Sequence, residues 1–276
     1  MGARREAREA LAAAGLAPRR RWGQNFLCDP AVARRIVETA EIDPRTIALE
    51  IGPGLGALTD ELAPRAGRLY LIEIDTALAE RLAGRYADNP RVRVVAGDVL
   101  ALALDDVVRD ERVTVVANLP YNIASPILFR LLDLRARFPR AIVMLQREMA
   151  IRLVARPGGA DYGVTSVLLQ TYADVRIAFG VSRRSFFPRP DVDSAVVDIR
   201  WSAAPRVDVG DAGLFRDVVR AAFGQRRKML RNALATLAAA RATTATVVLE
   251  RAGIAPTARA ETLDLAAFGR LARALG

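Results

Sequence analysis

Short runs of almost wholly apolar residues recur along the first two-thirds of the chain, each followed by a glycine-bearing or polar turn. Thr46–Ile51, Leu69–Ile74, Val92–Val95, Val113–Val116 and Ile142–Leu145 read as strands. Between them the apolar period lengthens to three and four residues, which predicts helices. One starts at Asp29 or Pro30 with Val32, Ile36 and Val37 on one side; others run through Leu62, over Thr76–Tyr86 and over Ser125–Leu134. Apolar strands alternating with helices predict an α/β fold whose parallel sheet is covered on both faces. Val175–Phe179 and Ser194–Arg200 are expected to complete the sheet, with some antiparallel pairing. Ala204–Gly213 carries Pro, Gly and Asp and reads as a linker. Only short helical segments follow it. The expected division is a basic arm over 1–24, a sheet domain over 25–203 and a small all-α domain over 204–276.

Composition narrows the chemistry. Apolar residues make up 52% and charged residues 26% of the 276, which excludes a disordered or low-complexity chain. A single cysteine, Cys28, allows no intrachain disulfide and fits the cytoplasm. The chain has no histidine, which removes imidazole acid–base catalysis and, with one cysteine, leaves no conventional zinc set; no metal is expected. Apolar runs such as Val99–Leu104 are far shorter than the ~20 residues that cross a bilayer, so no membrane partner is expected. The net charge is +10, and it is unevenly placed. Residues 1–24 carry +4, residues 25–205 are neutral, and residues 206–276 carry +6. A neutral body with basic ends points to a polyanion touched by those ends. An arginine-rich compositional bias would give the same total.

The residues that carry chemistry cluster at strand ends. Gly52, Gly54 and Gly56 follow one strand and open a helix, where the backbone can turn tightly and approach a ligand. Glu73 ends the next strand, placed to accept both hydroxyls of a ribose. These two features fit a nicotinamide dinucleotide equally well. Asp98, after the third strand, can accept from an adenine amine, and Asn118-Leu119-Pro120-Tyr121 follows the fourth. An Asn oxygen beside backbone carbonyls offers acceptors for a planar exocyclic amine, and Tyr121 offers a flat face on which its ring can stack. Such acceptors draw the amine lone pair out of conjugation, so no neutral-pKa base is needed. The bland alternatives are a tight turn with a surface acid, and a strand-to-helix turn capped by Asn118. In Arg226-Arg227-Lys228 and Arg231, a helix over 226–239 would place Arg227 and Arg231 one turn apart with Met229, Leu230 and Leu234 inward. Phosphate contact and a solvated basic face remain alternative readings of that cluster.

Together, Gln24-Asn25-Phe26-Leu27, the run Glu50–Gly56, Glu73, Gly97-Asp98 and Asn118–Asn122 resemble the S-adenosylmethionine-dependent ribosomal RNA adenine dimethyltransferases. More narrowly they look like the small-subunit (KsgA/RsmA) branch. Phe186–Ser194 is similar to that family's F-x-P-x-P-x-V-x-S loop, and Ala222–Leu234 to its basic C-terminal motif. The likeness runs from about Arg21 to the C-terminus.

The resemblance implies a Rossmann-like methyltransferase sheet with a small C-terminal all-α domain, and S-adenosylmethionine as methyl donor. By position, Asn25, Leu27, Gly52, Gly54, Glu73, Asp98 and Asn118 would hold the donor. Asn118 with the Leu119 and Pro120 carbonyls would position the target amine, with Tyr121 and Phe186 sandwiching the base once it is turned out of the RNA. Phe187 is then expected to pack and Phe186 to be exposed. Arg226, Arg227, Lys228 and Arg231 would touch RNA phosphates. The implied reaction is dimethylation of two adjacent adenosines near the 3′ end of 16S ribosomal RNA in a pre-30S particle, by a monomer. A large-subunit resistance methyltransferase, a non-catalytic assembly factor and a nicotinamide-dependent oxidoreductase remain the alternatives.

Overall fold

The computed structural model describes residues 5, 9, 11, 18, 24–109, 112–225 and 228–276. The chain forms two compact units, one of residues 1–150 with 176–201 and one of residues 151–175 with 202–276. The last junction, after Trp201, lies two residues from the expected boundary at 203. Residues 151–175, which were expected to belong to the sheet domain, group instead with the C-terminal helices.

The first unit begins, among its described strands, with a two-residue strand, β1 (Phe26–Leu27). The parallel strands follow as β2 (Ile47–Ile51), β3 (Arg68–Glu73), β4 (Val92–Ala96), β5 (Thr114–Asn118) and β6 (Arg140–Gln146). After them come β7 (Ala173–Val181), the short β8 (Phe186–Phe187) and β9 (Ser194–Trp201). Among the described residues, seven strands share one sheet in the order β4-β3-β2-β5-β6-β9-β7. Pairing is parallel from β4 through β6 and antiparallel between β6 and β9. The order reverses direction at β2, whose neighbours β3 and β5 lie on opposite sides, and such a switch point opens a crevice at the strands' carboxyl ends. β1 and β8 pair antiparallel in a separate ribbon.

Local chemistry explains the connecting helices. Pro30–Ala40 opens on the Asp29 carboxylate, which accepts from the backbone N–H groups of Ala31 and Val32, with Pro30 in the first turn. Thr76–Arg85 opens likewise on Asp75. Ala33, Ile36, Val37 and Ala40 bury one face of the first helix against sheet residues Ala48, Val116, Ile142 and Val196. At the end of the sheet remote from the crevice, Asp198 of β9 is 1% exposed and receives Arg140, Arg176 and Arg200. Burial alone would raise that carboxyl's pKa, but the three guanidinium groups outweigh it and hold it below the ordinary value.

The second unit is helical. Ala212–Phe223, Ala245–Arg251 and Leu265–Leu275 each start on a Thr or Asp cap and bury one apolar face. Tyr162, Phe223 and Phe268 form an aromatic cluster inside it. No helix among the described residues is long and apolar enough to cross a membrane.

Candidate active site at the carboxyl edge of the sheet

The crevice at the switch point is the site. Gln24–Leu27, Glu50, Gly52–Leu55, Ala57, Leu58, Glu73, Ile74 and Asn118–Tyr121 line about 710 Å³ of space, open solvent at the mouth included. Its floor is set by the ladder: Gly52 N–H still donates to Ile72 across β2 and β3, and Leu119 N–H to Met144 across β5 and β6. The chain therefore leaves the sheet at fixed points.

Gly52 and Gly54 are required there for different reasons. Gly52 has φ +67°, and a side chain built on it would meet nothing within 4 Å; the space beside it is the crevice. Gly54, at φ +58°, lies under the Phe26 ring, which a Cβ would strike at 2.9 Å. The N-terminal segment is thus closed down on the glycine turn.

Two acids sit below that turn. Glu73 is 3% exposed; its Oε2 accepts from Gly54 N–H at 2.9 Å and its Oε1 from Asp75 N–H at 3.0 Å. Burial pushes its carboxyl above the usual range, and the backbone N–H groups of Asp75, Gly54 and Ile74 pull it back. A carboxylate has about four acceptor positions, so these N–H groups do not exhaust it and acceptor capacity remains for a ligand's hydroxyls. Glu50, in β2, is 1% exposed and accepts from the Thr59 hydroxyl at 2.6 Å. Burial pushes Glu50 up to about 8, with the Glu73 charge adding to the rise and Thr59 opposing it. Its protonated form is therefore favoured well above the ordinary carboxyl range.

Opposite lies the Asn118–Tyr121 wall. Asn118 Nδ2 donates to the backbone carbonyl of Asn25 at 3.0 Å, which leaves Oδ1 as the amide atom able to accept an amine proton. The Tyr121 hydroxyl is 2.8 Å from Ser194 Oγ.

Asn25, Leu27, Gly52, Gly54, Glu73 and Asn118–Tyr121 are therefore brought together as the sequence predicts. Asp98 does not line the crevice: it stands beyond β4, where its carboxylate accepts from Leu100 N–H. Phe186 corrects an expectation. It is fully buried in the main core and Phe187 is the partly exposed one, the reverse of the expected order. The register explains why: Phe186 is paired with Leu27, and both reach the core, whereas Phe187 is paired with Phe26 and packs beside it. The expected continuous helix over 226–239 is also corrected. Lys228 and Met229 precede a helix that begins at Leu230, and Met229 is exposed, while Leu230 and Leu234 are buried. Arg226 and Arg227 lie outside the described residues; Lys228 and Arg231 are exposed on the helical unit.

Glu50 and Ser194 were overlooked as site residues. An acid inside an otherwise apolar strand is a legible signal for the first, since a buried carboxyl needs a reason. Ser194 is marked only as the last residue of the Phe186–Ser194 motif, which by itself assigns it no role.

Known proteins share this architecture. A dimethyladenosine transferase from Plasmodium falciparum superposes with a TM-score of 0.75 at 25% identity, covering 89% of this chain and 95% of its own. The 23S rRNA methyltransferase ErmE does so at 0.66 and 28% identity, covering 91% and 99%. The fold and its glycine-lined crevice define a Rossmann-like methyltransferase. In sequence, the ribosomal RNA small subunit methyltransferase A of Moorella thermoacetica is 46% identical over 95% of this chain and 93% of its own. That of Geobacter metallireducens is 44% identical over 95% and 96%. The family model for ribosomal RNA adenine dimethylase matches residues 15–273, and the chain belongs to that family.

Membership implies S-adenosylmethionine as the methyl donor. The crevice fits such a group: the open side of Gly52 admits it closely, and Glu73 keeps acceptor positions for ribose hydroxyls.

Proposed function

We propose that the protein dimethylates the exocyclic amines of two adjacent adenosines near the 3′ end of small-subunit ribosomal RNA, within a precursor particle. The observation that carries this reading is the oriented Asn118 amide. With Nδ2 held by Asn25, its oxygen is fixed as an acceptor at the crevice wall. An adenine amine donating to it presents its lone pair out of the ring plane. S-adenosylmethionine supplies an electrophilic methyl on a sulfonium, open to in-line attack. Gly52, Gly54 and Glu73 hold the donor; Leu119 and Pro120 shape the amine's seat, and Tyr121 stacks on the base. Catalysis comes from positioning and exclusion of water, which agrees with a chain lacking histidine. Asp98 serves the adenine end of the donor if its side chain turns from Leu100 toward the crevice. Lys228 and Arg231, with Arg226 and Arg227, supply phosphate contacts that position RNA without reading sequence.

The test is methyl incorporation from labelled donor into small subunits lacking the modification, with large subunits and free RNA in parallel. Dimethyladenosine mapped to the small subunit alone supports the reading. Label in the large subunit moves it to the activity named for ErmE. No label in any arm, with donor bound, leaves an assembly factor.

A further inference from the structure

We infer that Ser194 is a positioning residue for the base-stacking ring, acting through its hydrogen bond with the Tyr121 hydroxyl. This rests on the reading that Tyr121 stacks on the target adenine.

Tyr121 stands on a turn in which Ile123 N–H donates to the Pro120 carbonyl, and its side chain is half-buried. A ring so placed has rotamer freedom, and ordering it on each encounter would reduce the rate. Ser194 has no such freedom. It is fully buried, it opens β9, and it is paired with Gln146 at the end of the antiparallel β6–β9 ladder. The next link, Arg147 N–H to the Asp193 carbonyl at 2.9 Å, extends that ladder past the strand end. The 2.8 Å contact thus ties the far end of the ring to a buried, hydrogen-bonded end of the β6–β9 ladder. The bond is made through the hydroxyl at the ring's edge and not over its faces. Burial holds the Tyr121 pKa above its ordinary value, so the hydroxyl keeps its proton and can donate at any working pH.

Ser194 also gives the Pro-rich segment a purpose. Phe186 anchors one end of the segment in the core, and Ser194 at the other end reaches the crevice wall through Tyr121.

The experiment uses the full chain with small subunits lacking the modification. Ser194→Ala, Ser194→Thr, Tyr121→Phe and the Ser194→Ala/Tyr121→Phe pair are compared by kcat and KM for subunits, donor Kd by calorimetry, and melting temperature. Each single change that removes the bond is expected to lower kcat about three- to tenfold, with donor Kd unchanged. The pair should be no worse than the poorer single variant, and Ser194→Thr should regain most of the rate. Multiplying losses in the pair, or a silent Tyr121→Phe beside an impaired Ser194→Ala, would overturn the inference. Should Ser194→Ala melt early, Tyr121→Phe tests the same bond from its more exposed side. A wild-type protein that labels no small-subunit adenosine would instead sink the underlying reading, before any variant is examined.

Discussion

The two walls of the crevice are built in opposite ways. On the donor side the bonds are local: Gly54 reaches Glu73 across 19 residues, Thr59 reaches Glu50 across nine, and Asp75 reaches Glu73 across two. On the base side they are remote: Asn118 meets Asn25 across 93 residues, and Tyr121 meets Ser194 across 73. The hydrogen bonds of the donor wall all lie within the passage from β2 to the residues just after β3. The base wall exists only when β1, the β5 turn and the start of β9 are all in place. The donor side is thus hydrogen-bonded within one passage and closed over by Phe26, while the side that selects the RNA base is hydrogen-bonded across the whole unit.

The largest expected effect separates the walls. Asn118→Ala should lower methyl transfer by about a hundred- to a thousandfold, the scale for losing a preorganised polar group at a reacting centre. Donor Kd by calorimetry should hardly move. Equal loss of both would put Asn118 on the donor wall and dissolve the contrast.

Phe186 and Phe187 sharpen it next. Phe186→Ala removes a fully buried ring from the main core and should destabilise the fold by about 3–5 kcal/mol in denaturant titration. Phe187→Ala should lose clearly less, because its ring is partly exposed. A mild Phe186→Ala with intact melting would restore Phe186 as a free stacking face. Glu73→Gln is the mirror of Asn118→Ala: losing charge-assisted bonds to Gly54 and Asp75 should weaken donor binding about ten- to a hundredfold.

This asymmetry also sets what the sequence reveals. The glycine turn, Glu73 and the Asn118–Tyr121 run are local patterns at strand ends, and each can be read without knowing the fold. The parallel strands are legible for the same reason, since five short apolar runs alternate with capped helices. Phe186 and Phe187 are adjacent and chemically identical, so only their register with β1 decides which ring enters the core. Ser194 is legible as the last residue of the Phe186–Ser194 motif, but its role is not, because its partner is 73 residues away. Residues 151–175 read as a continuation of the sheet domain, but their helix Val164–Tyr172 buries Val167, Leu168 and Leu169 within the helical unit.

Glu50 tests the donor wall by pH. Its folded carboxyl is raised from 4.5 to about 8, so between those values the folded chain keeps a proton that the unfolded chain has released. Stability therefore falls as pH rises through that window, by up to about 1.4 kcal/mol per pH unit. Glu50→Gln keeps an acceptor for Thr59 and has no proton to lose, so its melting temperature should decline less between pH 5 and 8. The remaining decline belongs to Glu73, which is shifted in the same direction. Parallel curves for the two proteins would mean that Glu50 is ionised in the crevice.

The smallest effect lies outside both walls. Lys228 and Arg231 are exposed and were expected on one continuous helix, but Lys228 precedes the helix that carries Arg231. They reach solvent from different backbone settings, so their contributions to RNA binding should be independent. If each neutralises one phosphate, Lys228→Ala and Arg231→Ala should each reduce the slope of log K against log salt by about 0.7–0.9, and the pair by the sum. Transfer from bound complexes should keep its rate, because phosphate contacts position the RNA without touching the amine. An unchanged slope would show a solvated basic face. A slope change accompanied by a slower bound-state rate would tie RNA grip to the base wall, and selection would then extend beyond the crevice.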